Sequence, residues 1–139
     1  MIVIDASAAV EHLCRASDRG DWIRNRLQSA ATLHVPALFD LEVLHSLRGL
    51  EAGGELRGRD VANALTNLAD LRATYYHHSP FRRRIWSLRH NLTAYDAAYV
   101  ALAEALDVPL LTADAPLARS SGHAARIELA SSAGHHDAN

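Results

Sequence analysis

The stretch that most constrains this chain is its opening, Met1-Ile2-Val3-Ile4-Asp5-Ala6-Ser7-Ala8, an apolar β-branched run that meets a carboxylate and passes into small residues. A run of this length and composition suits a strand buried on both faces, as in a parallel sheet. Such a strand delivers its next side chain to the carboxyl edge of the sheet, where α/β proteins place their sites. Asp5 stands at that exit, and Ser7 is placed to cap the following helix. Taken alone, the stretch leaves two roles open for Asp5, helix capping or chemistry. Val108-Pro109-Leu110-Leu111-Thr112 reads as another short buried strand, and Asp114 follows it by two residues.

Between and around these strands the pattern alternates. Ala8 to Arg15 has helical spacing with Val10, Leu13 and Cys14 on an apolar face, and a polar break at 17–21 precedes a second helical stretch at 22–27. Thr32 to Val35 reads as a strand stopped by Pro36. Ala37 to Glu51 reads as a helix whose apolar residues are Leu38, Leu41, Leu44, Leu47 and Leu50, ended by Gly53-Gly54. Further helices are expected over 58–71, from Ser79-Pro80 through Leu88, over 94–106 and briefly over 113–119. Weaker strands are expected at 74–77 and 127–129. Strands alternating with helices predict an α/β fold, a mainly parallel sheet of four to five short strands flanked by helices. Residues 1–130 form one domain in this reading, and the polar tail 131–139 is expected to be disordered.

Several classes are excluded. All fourteen basic residues are arginine, so no mechanism that needs a catalytic or phosphate-binding lysine is available. The single cysteine, Cys14, permits neither a disulfide framework nor a cysteine-based zinc site. No apolar run approaches the roughly 18 residues needed to span a membrane. The chain begins inside its first strand, so no signal peptide and a cytoplasmic location are expected. A net charge of −2 gives no general attraction for nucleic acid, so any such contact has to come from a local patch.

Two further carboxylates stand out. Glu42 lies early in a largely apolar helix and shares a face with Leu38 and His45. Burying it unpaired is costly, so it calls for a partner or a cation unless it faces solvent. Asp96, three residues after Thr93, fits a capping box with Asp in place of Glu. Val100 and Ala103, at i+4 and i+7, place it equally on the inward stripe of its helix. Strands ending at Asp5 and Thr112 can deliver Asp5 and Asp114 to one crevice, and helix starts bearing Glu42 and Asp96 can face the same edge. Two carboxylates about 5 Å apart repel by roughly 3 kcal/mol at an effective dielectric near 20. A converging quartet therefore raises its pKa values or recruits a divalent cation, and an all-oxygen set selects Mg²⁺ or Mn²⁺. Phosphodiester hydrolysis is the natural chemistry of such a site.

The segments Val3-Ile4-Asp5-Ala6-Ser7, Pro36-Ala37-Leu38-Phe39-Asp40-Leu41-Glu42-Val43, Leu92-Thr93-Ala94-Tyr95-Asp96-Ala97-Ala98-Tyr99 and Leu111-Thr112-Ala113-Asp114 resemble, in order and spacing, the PIN-domain family and its VapC-type toxins. The resemblance extends to about Leu129. It implies a metal-dependent endoribonuclease acting on RNA and neutralised by a VapB-type antitoxin. It also implies a homodimer. On the matching positions Asp5, Glu42, Asp96 and Asp114 become the acidic metal site, with Mg²⁺ or Mn²⁺ as cofactor. Ser7 and Thr112 become the groups that orient those carboxylates or a bound water. Some members carry another acid just after the position of Asp114. Ala115 and Pro116 stand there here, so a second metal is expected to bind weakly or only with RNA.

A phosphoacceptor receiver domain would need paired early Asp residues and a late Lys. A haloacid-type phosphatase would need Asp where Ser7 stands. A non-enzymatic alternative, a degenerate RNA- or antitoxin-binding domain, is opposed by the presence of all four acids. Arg82, Arg83, Arg84 and Arg89 either steer a phosphate backbone or form a solvated helix face, with Ile85, Trp86 and Leu88 expected inward. His77-His78 and His135-His136 read as loop and tail residues, and His45 as a residue of the site rim.

Overall fold

Ile2, Val3 and Ile4 are fully buried and form β1 (Ile2–Ile4), the middle strand of the sheet. The computed structural model describes residues 1–14 and 17–132. With β2 (Leu33–Pro36), β3 (Ala73–Tyr76), β4 (Leu110–Thr112) and β5 (Ile127–Leu129), the sheet has the order β3-β2-β1-β4-β5, and every pairing is parallel. The chain lays down β1, β2 and β3 outward to one side and then returns across β1 to add β4 and β5. The direction of growth thus reverses between β1 and β4, and the carboxyl ends of those two strands border the crevice where open α/β sheets bind ligands.

The helices are α1 (Ala6–Cys14), α2 (Asp18–Gln28), α3 (Phe39–Ala52), α4 (Gly58–Asp70), α5 (Arg82–Ser87), α6 (Ala94–Leu106) and α7 (Ala115–Ala118), with a 3₁₀ turn over Ser79–Phe81 before α5. The first helix packs with α2, α3 and α4, while α6 lies against β1, β2 and β4. The unbroken buried run from Ala97 to Ala103 explains the placement of α6: four of its seven residues are alanines, small side chains that let a helix approach the sheet closely. Thr93 starts that helix by accepting the Asp96 amide at 3.2 Å, and Asp107 ends it in the left-handed conformation at φ 53°. Gly20 allows α2 to turn tightly onto α1, because a Cβ there would sit 2.7 Å from the Glu11 carbonyl oxygen.

Several local expectations are corrected. The first helix begins at Ala6, and Asp5, not Ser7, is its capping side chain, accepting the Ala8 amide at 3.0 Å. The polar stretch at 17–21 is the start of α2, with Ser17 Oγ accepting the Gly20 amide. Pro36 closes β2 opposite Tyr76, and the next helix starts at Phe39. On α3 the core residues are Phe39, Val43 and Leu47, while Leu41 is 72% exposed and Leu44 also faces solvent. A leucine every three residues falls short of the 3.6-residue turn, so that row winds away from the core, whereas spacing by four holds its face. Trp86 is 67% exposed and not inward, and Leu88, just past α5, is the side chain that anchors this segment. The expected helix end at Arg15 and the tail from residue 133, with His135-His136, lie outside the described residues.

Candidate active site

Asp5 leaves β1 at the carboxyl edge and is 5% exposed. Its carboxylate is held on three sides. Oδ1 accepts the Ser7 hydroxyl at 2.7 Å and the Ala8 amide at 3.0 Å, and Oδ2 accepts the Thr112 hydroxyl at 2.6 Å. A carboxylate offers about four lone-pair positions, so one remains open toward the crevice. Thr112, the fully buried last residue of β4, also accepts the Asp114 amide at 3.0 Å. Ser7 accepts the Ala113 amide at 3.0 Å, and the Ser7 and Thr112 oxygens lie 3.2 Å apart. Two hydroxyls, one on each side of the switch point, therefore tie the ends of β1 and β4 together through the carboxylate.

The remaining acids arrive from helices. Glu42 comes from the first turn of α3 and Asp96 from the first turn of α6. Asp114 caps α7, with Oδ1 accepting the Leu117 amide at 3.3 Å. All four acids line one cleft of about 680 Å³, together with Ser7, Leu38, Leu41, His45, Tyr95 and Tyr99. Each acid named from the sequence therefore reaches one place, and His45 reaches its rim. The capping roles are real for Asp5 and Asp114, and they coexist with exposure to the cleft.

Electrostatics sets this cluster apart. Burial pushes the Asp5 carboxyl up to about 6, partly offset by its hydrogen bonds and reinforced by the charge of Asp96. Burial also raises the pKa of Asp96, and the charge of Asp114 adds to it. Glu42 is raised by burial and by Asp96. None of the four takes part in an ion pair among the described residues. Sequence reasoning gave no role to Tyr99, the next residue of the cluster. Its buried hydroxyl makes no hydrogen bond of ordinary geometry, yet it lies close enough to the Glu42 carboxylate for that group, after burial, to raise its pKa far above the tyrosine range. The signal was available, since Tyr99 stands three residues after Asp96 and so shares its helix face.

The donor set suits a hard cation, because every candidate ligand is an oxygen. Among the described residues no three acidic, histidine or cysteine side chains are gathered closely enough to hold a metal ion between them. A hard cation that keeps several waters and binds through one or two carboxylates and a substrate phosphate does not require such a group.

The PIN-domain family model matches residues 2–122. Ribonuclease VapC12 of Mycobacterium tuberculosis is 42% identical over 129 residues, covering 93% of this chain and 98% of that protein. Ribonuclease VapC1 of the same organism is 41% identical over 128 residues, covering 91% and 96%. Among solved structures, Mycobacterium tuberculosis VapC20, a sarcin-ricin-loop-cleaving toxin, aligns with a TM-score of 0.63 at 13% identity, over 85% of this chain and 93% of that one. VapBC2 from Rickettsia felis, solved bound to a DNA fragment from their promoter, aligns with a TM-score of 0.62 at 15% identity, over 93% and 98%. At such identities these two likenesses speak for the fold.

Proposed function

The chain belongs to the PIN-domain family as a ribonuclease of the VapC type, and from that premise we propose that its acidic cleft hydrolyses RNA phosphodiester bonds with a divalent metal. The observation that carries this reading is four carboxylates on one cleft at the switch point of the sheet, none in an ion pair among the described residues. Asp5, Asp96, Asp114 and Glu42 would hold Mg²⁺ or Mn²⁺. A bound ion would supply charge neutralisation at the phosphate and would lower the pKa of a water, making it a nucleophile near neutral pH.

The chain's own groups prepare that chemistry. Ser7 and Thr112 fix the Asp5 carboxylate so that its free lone pair faces the cleft. Asp96, whose charge raises the pKa of both Asp5 and Glu42, is the electrostatic centre of the cluster. Tyr99, buried beside Glu42, keeps its proton, so its hydroxyl adds no further negative charge to the cluster. Together these contacts pre-orient the acids, so little reorganisation remains when substrate arrives.

In the cell the protein acts in this reading as the toxin of a pair, in the cytoplasm, as a homodimer, and is neutralised by a cognate VapB-type antitoxin. Residues 1–130 form the catalytic unit. No helix among the described residues is long and apolar enough to cross a membrane. The test is purified protein with Mg²⁺ or Mn²⁺ on mixed cellular RNA, with the cleaved ends mapped and Asp5→Asn as control. Metal-dependent cleavage lost in the variant is expected, and equal cleavage by both proteins would remove the cleft from the reaction. Growth arrest on expression, relieved by the co-expressed antitoxin, is the corresponding cellular result.

A further inference from the structure

A second groove, of about 570 Å³, runs beside the acidic cleft between α5 and the start of α6, and Leu38 and Tyr95 line both. Its walls combine two features that are seldom left in water together. Trp86 and Tyr95 are 67% and 64% exposed, although nothing in the fold obliges a tryptophan and a tyrosine to line one groove in solvent. Arg82 and Arg89 line the same groove, and neither forms an ion pair among the described residues, whereas Arg84 between them is locked to Glu104. Arg89 is also preassembled. Its guanidinium carbon lies 4.6 Å from the centre of the Trp86 ring, and its Nη1 donates to the Trp86 carbonyl at 3.0 Å.

The charges of the two neighbouring sites are opposite. Four carboxylates repel an approaching phosphodiester, and the net charge of −2 offers no general attraction. The groove supplies a local cationic patch at the point where a strand would enter the cleft. An apolar protein side chain would satisfy Trp86 and Tyr95 but leave the arginines without a counter-charge. A nucleotide satisfies both, with a π face for the rings and a phosphate for the guanidinium groups.

Resting on the reading of the cleft as the site of RNA cleavage, we propose that this groove seats one unpaired nucleotide of the RNA beside the scissile phosphate. Its base lies against Trp86 and Tyr95, and its phosphate is met by Arg82 and Arg89. Only an unstacked base can present its face in this way, so the groove selects single-stranded segments and loops over duplex.

Trp86→Ala tests this directly, because so exposed a side chain can be removed without disturbing the core. Cleavage of mixed cellular RNA in Mg²⁺ should fall roughly tenfold to a hundredfold in kcat/KM, mainly through KM, with Trp86→Phe keeping most of the activity. Binding is read separately in the Trp22→Phe, Asp5→Asn protein, where Trp86 is the remaining tryptophan. A ten-residue oligouridylate should quench its fluorescence and bind more tightly than an abasic backbone of equal length. If wild-type protein cleaves and Trp86→Ala cleaves equally well, the groove is not a nucleotide site while the reading of the cleft stands. If wild-type protein does not cleave, both fall. Full cleavage by Trp86→Ala together with loss of co-purification with a co-expressed antitoxin would give the groove to a protein partner and overturn the proposal.

Discussion

Glu104 and Glu42 are both partly buried carboxylates on helices of this chain, and the fold treats them in opposite ways. Glu104 receives two hydrogen bonds from the Arg84 guanidinium at 2.8 Å each and a third from the Ala124 amide at 2.9 Å. Arg84 accordingly holds its carboxyl below the usual range. Glu128 is treated similarly, gripped by Arg26 at 2.6 and 3.0 Å across α2 and β5. Glu42 forms no ion pair among the described residues and is pushed upward by burial and by Asp96, as Asp5 and Asp96 are pushed upward in the same cleft. Fourteen arginines were available to neutralise these acids. That none of those among the described residues does so separates carboxylates serving the fold, whose counter-charge lies within the chain, from carboxylates serving chemistry, whose counter-charge comes from outside.

The largest expected effect breaks this contrast at its acidic end. Asp5→Asn or Asp96→Asn should lower metal-dependent RNA cleavage by roughly a thousandfold or more. The same Asp5→Asn protein should melt no lower than wild type at pH 7 in chelator. The amide oxygen can still accept from Ser7 and Ala8, and the Thr112 oxygen can accept from the new amide nitrogen. An active variant, or one that melts many degrees lower, would mean that Asp5 serves the fold as Glu104 does.

A second effect is read as pH dependence. With its folded pKa near 6 and its ordinary value at 3.8, Asp5 binds a proton more readily in the native state than in the unfolded chain. Its charge therefore opposes folding in full above about pH 6, and stability is regained as pH falls toward 3.8, on the order of 3 kcal/mol for so buried a group. Glu42 and Asp96 lean the same way. Glu104 leans the opposite way, its contribution fading as pH falls. The melting difference between wild type and Asp5→Asn in chelator isolates Asp5, and it should shrink between pH 7 and pH 5. Millimolar Mg²⁺ or Mn²⁺ should raise the wild-type melting temperature at pH 7 more than that of the variant. A pH-independent difference would show that the Asp5 charge is already compensated within the fold.

What the sequence disclosed follows the same division. The strands β1 and β4 and the whole of α6 were legible because each is decided by one strong local signal, a β-branched run or an alanine-rich helix opened by Thr93. The acids were legible because strand exits and helix starts converge at the carboxyl edge whatever the details of packing. Orientation on short or irregular helices was not legible. Six residues of α5 make less than two turns, too few for periodicity to choose a face, so Trp86 was expected inward with Ile85 and Leu88, and of the three only Trp86 stands in solvent. The leucine row of α3 was legible as apolar but did not mark the buried face, since three-residue spacing winds Leu41 and Leu44 into solvent. Ser7 was expected to cap α1, and its contact with Thr112 joins residues 105 apart, which no local pattern can reveal. The pairing of Arg84 rather than Arg82 or Arg89 with Glu104 is likewise a tertiary fact.

The smallest expected effect sharpens the comparison from its structural side. In Glu104→Gln the side-chain amide can flip so that its oxygen still accepts from Arg84 Nη2 and the Ala124 amide, and only the Arg84 Nε bond is lost. The pair is partly exposed, so screening reduces what its charge is worth. Losing one charge-assisted bond here should cost about 1 kcal/mol, a fall of a few degrees in melting temperature, with RNA cleavage unchanged. Arg26→Gln at the Glu128 pair should cost no more, because its partner retains solvent contact. The signs are therefore opposite for the two kinds of carboxylate. Neutralising a carboxylate in the cleft removes activity and spares or raises stability, and neutralising one in an arginine pair lowers stability and spares activity. Loss of cleavage in Glu104→Gln at unchanged melting temperature would place that glutamate on the path of the RNA and end the distinction.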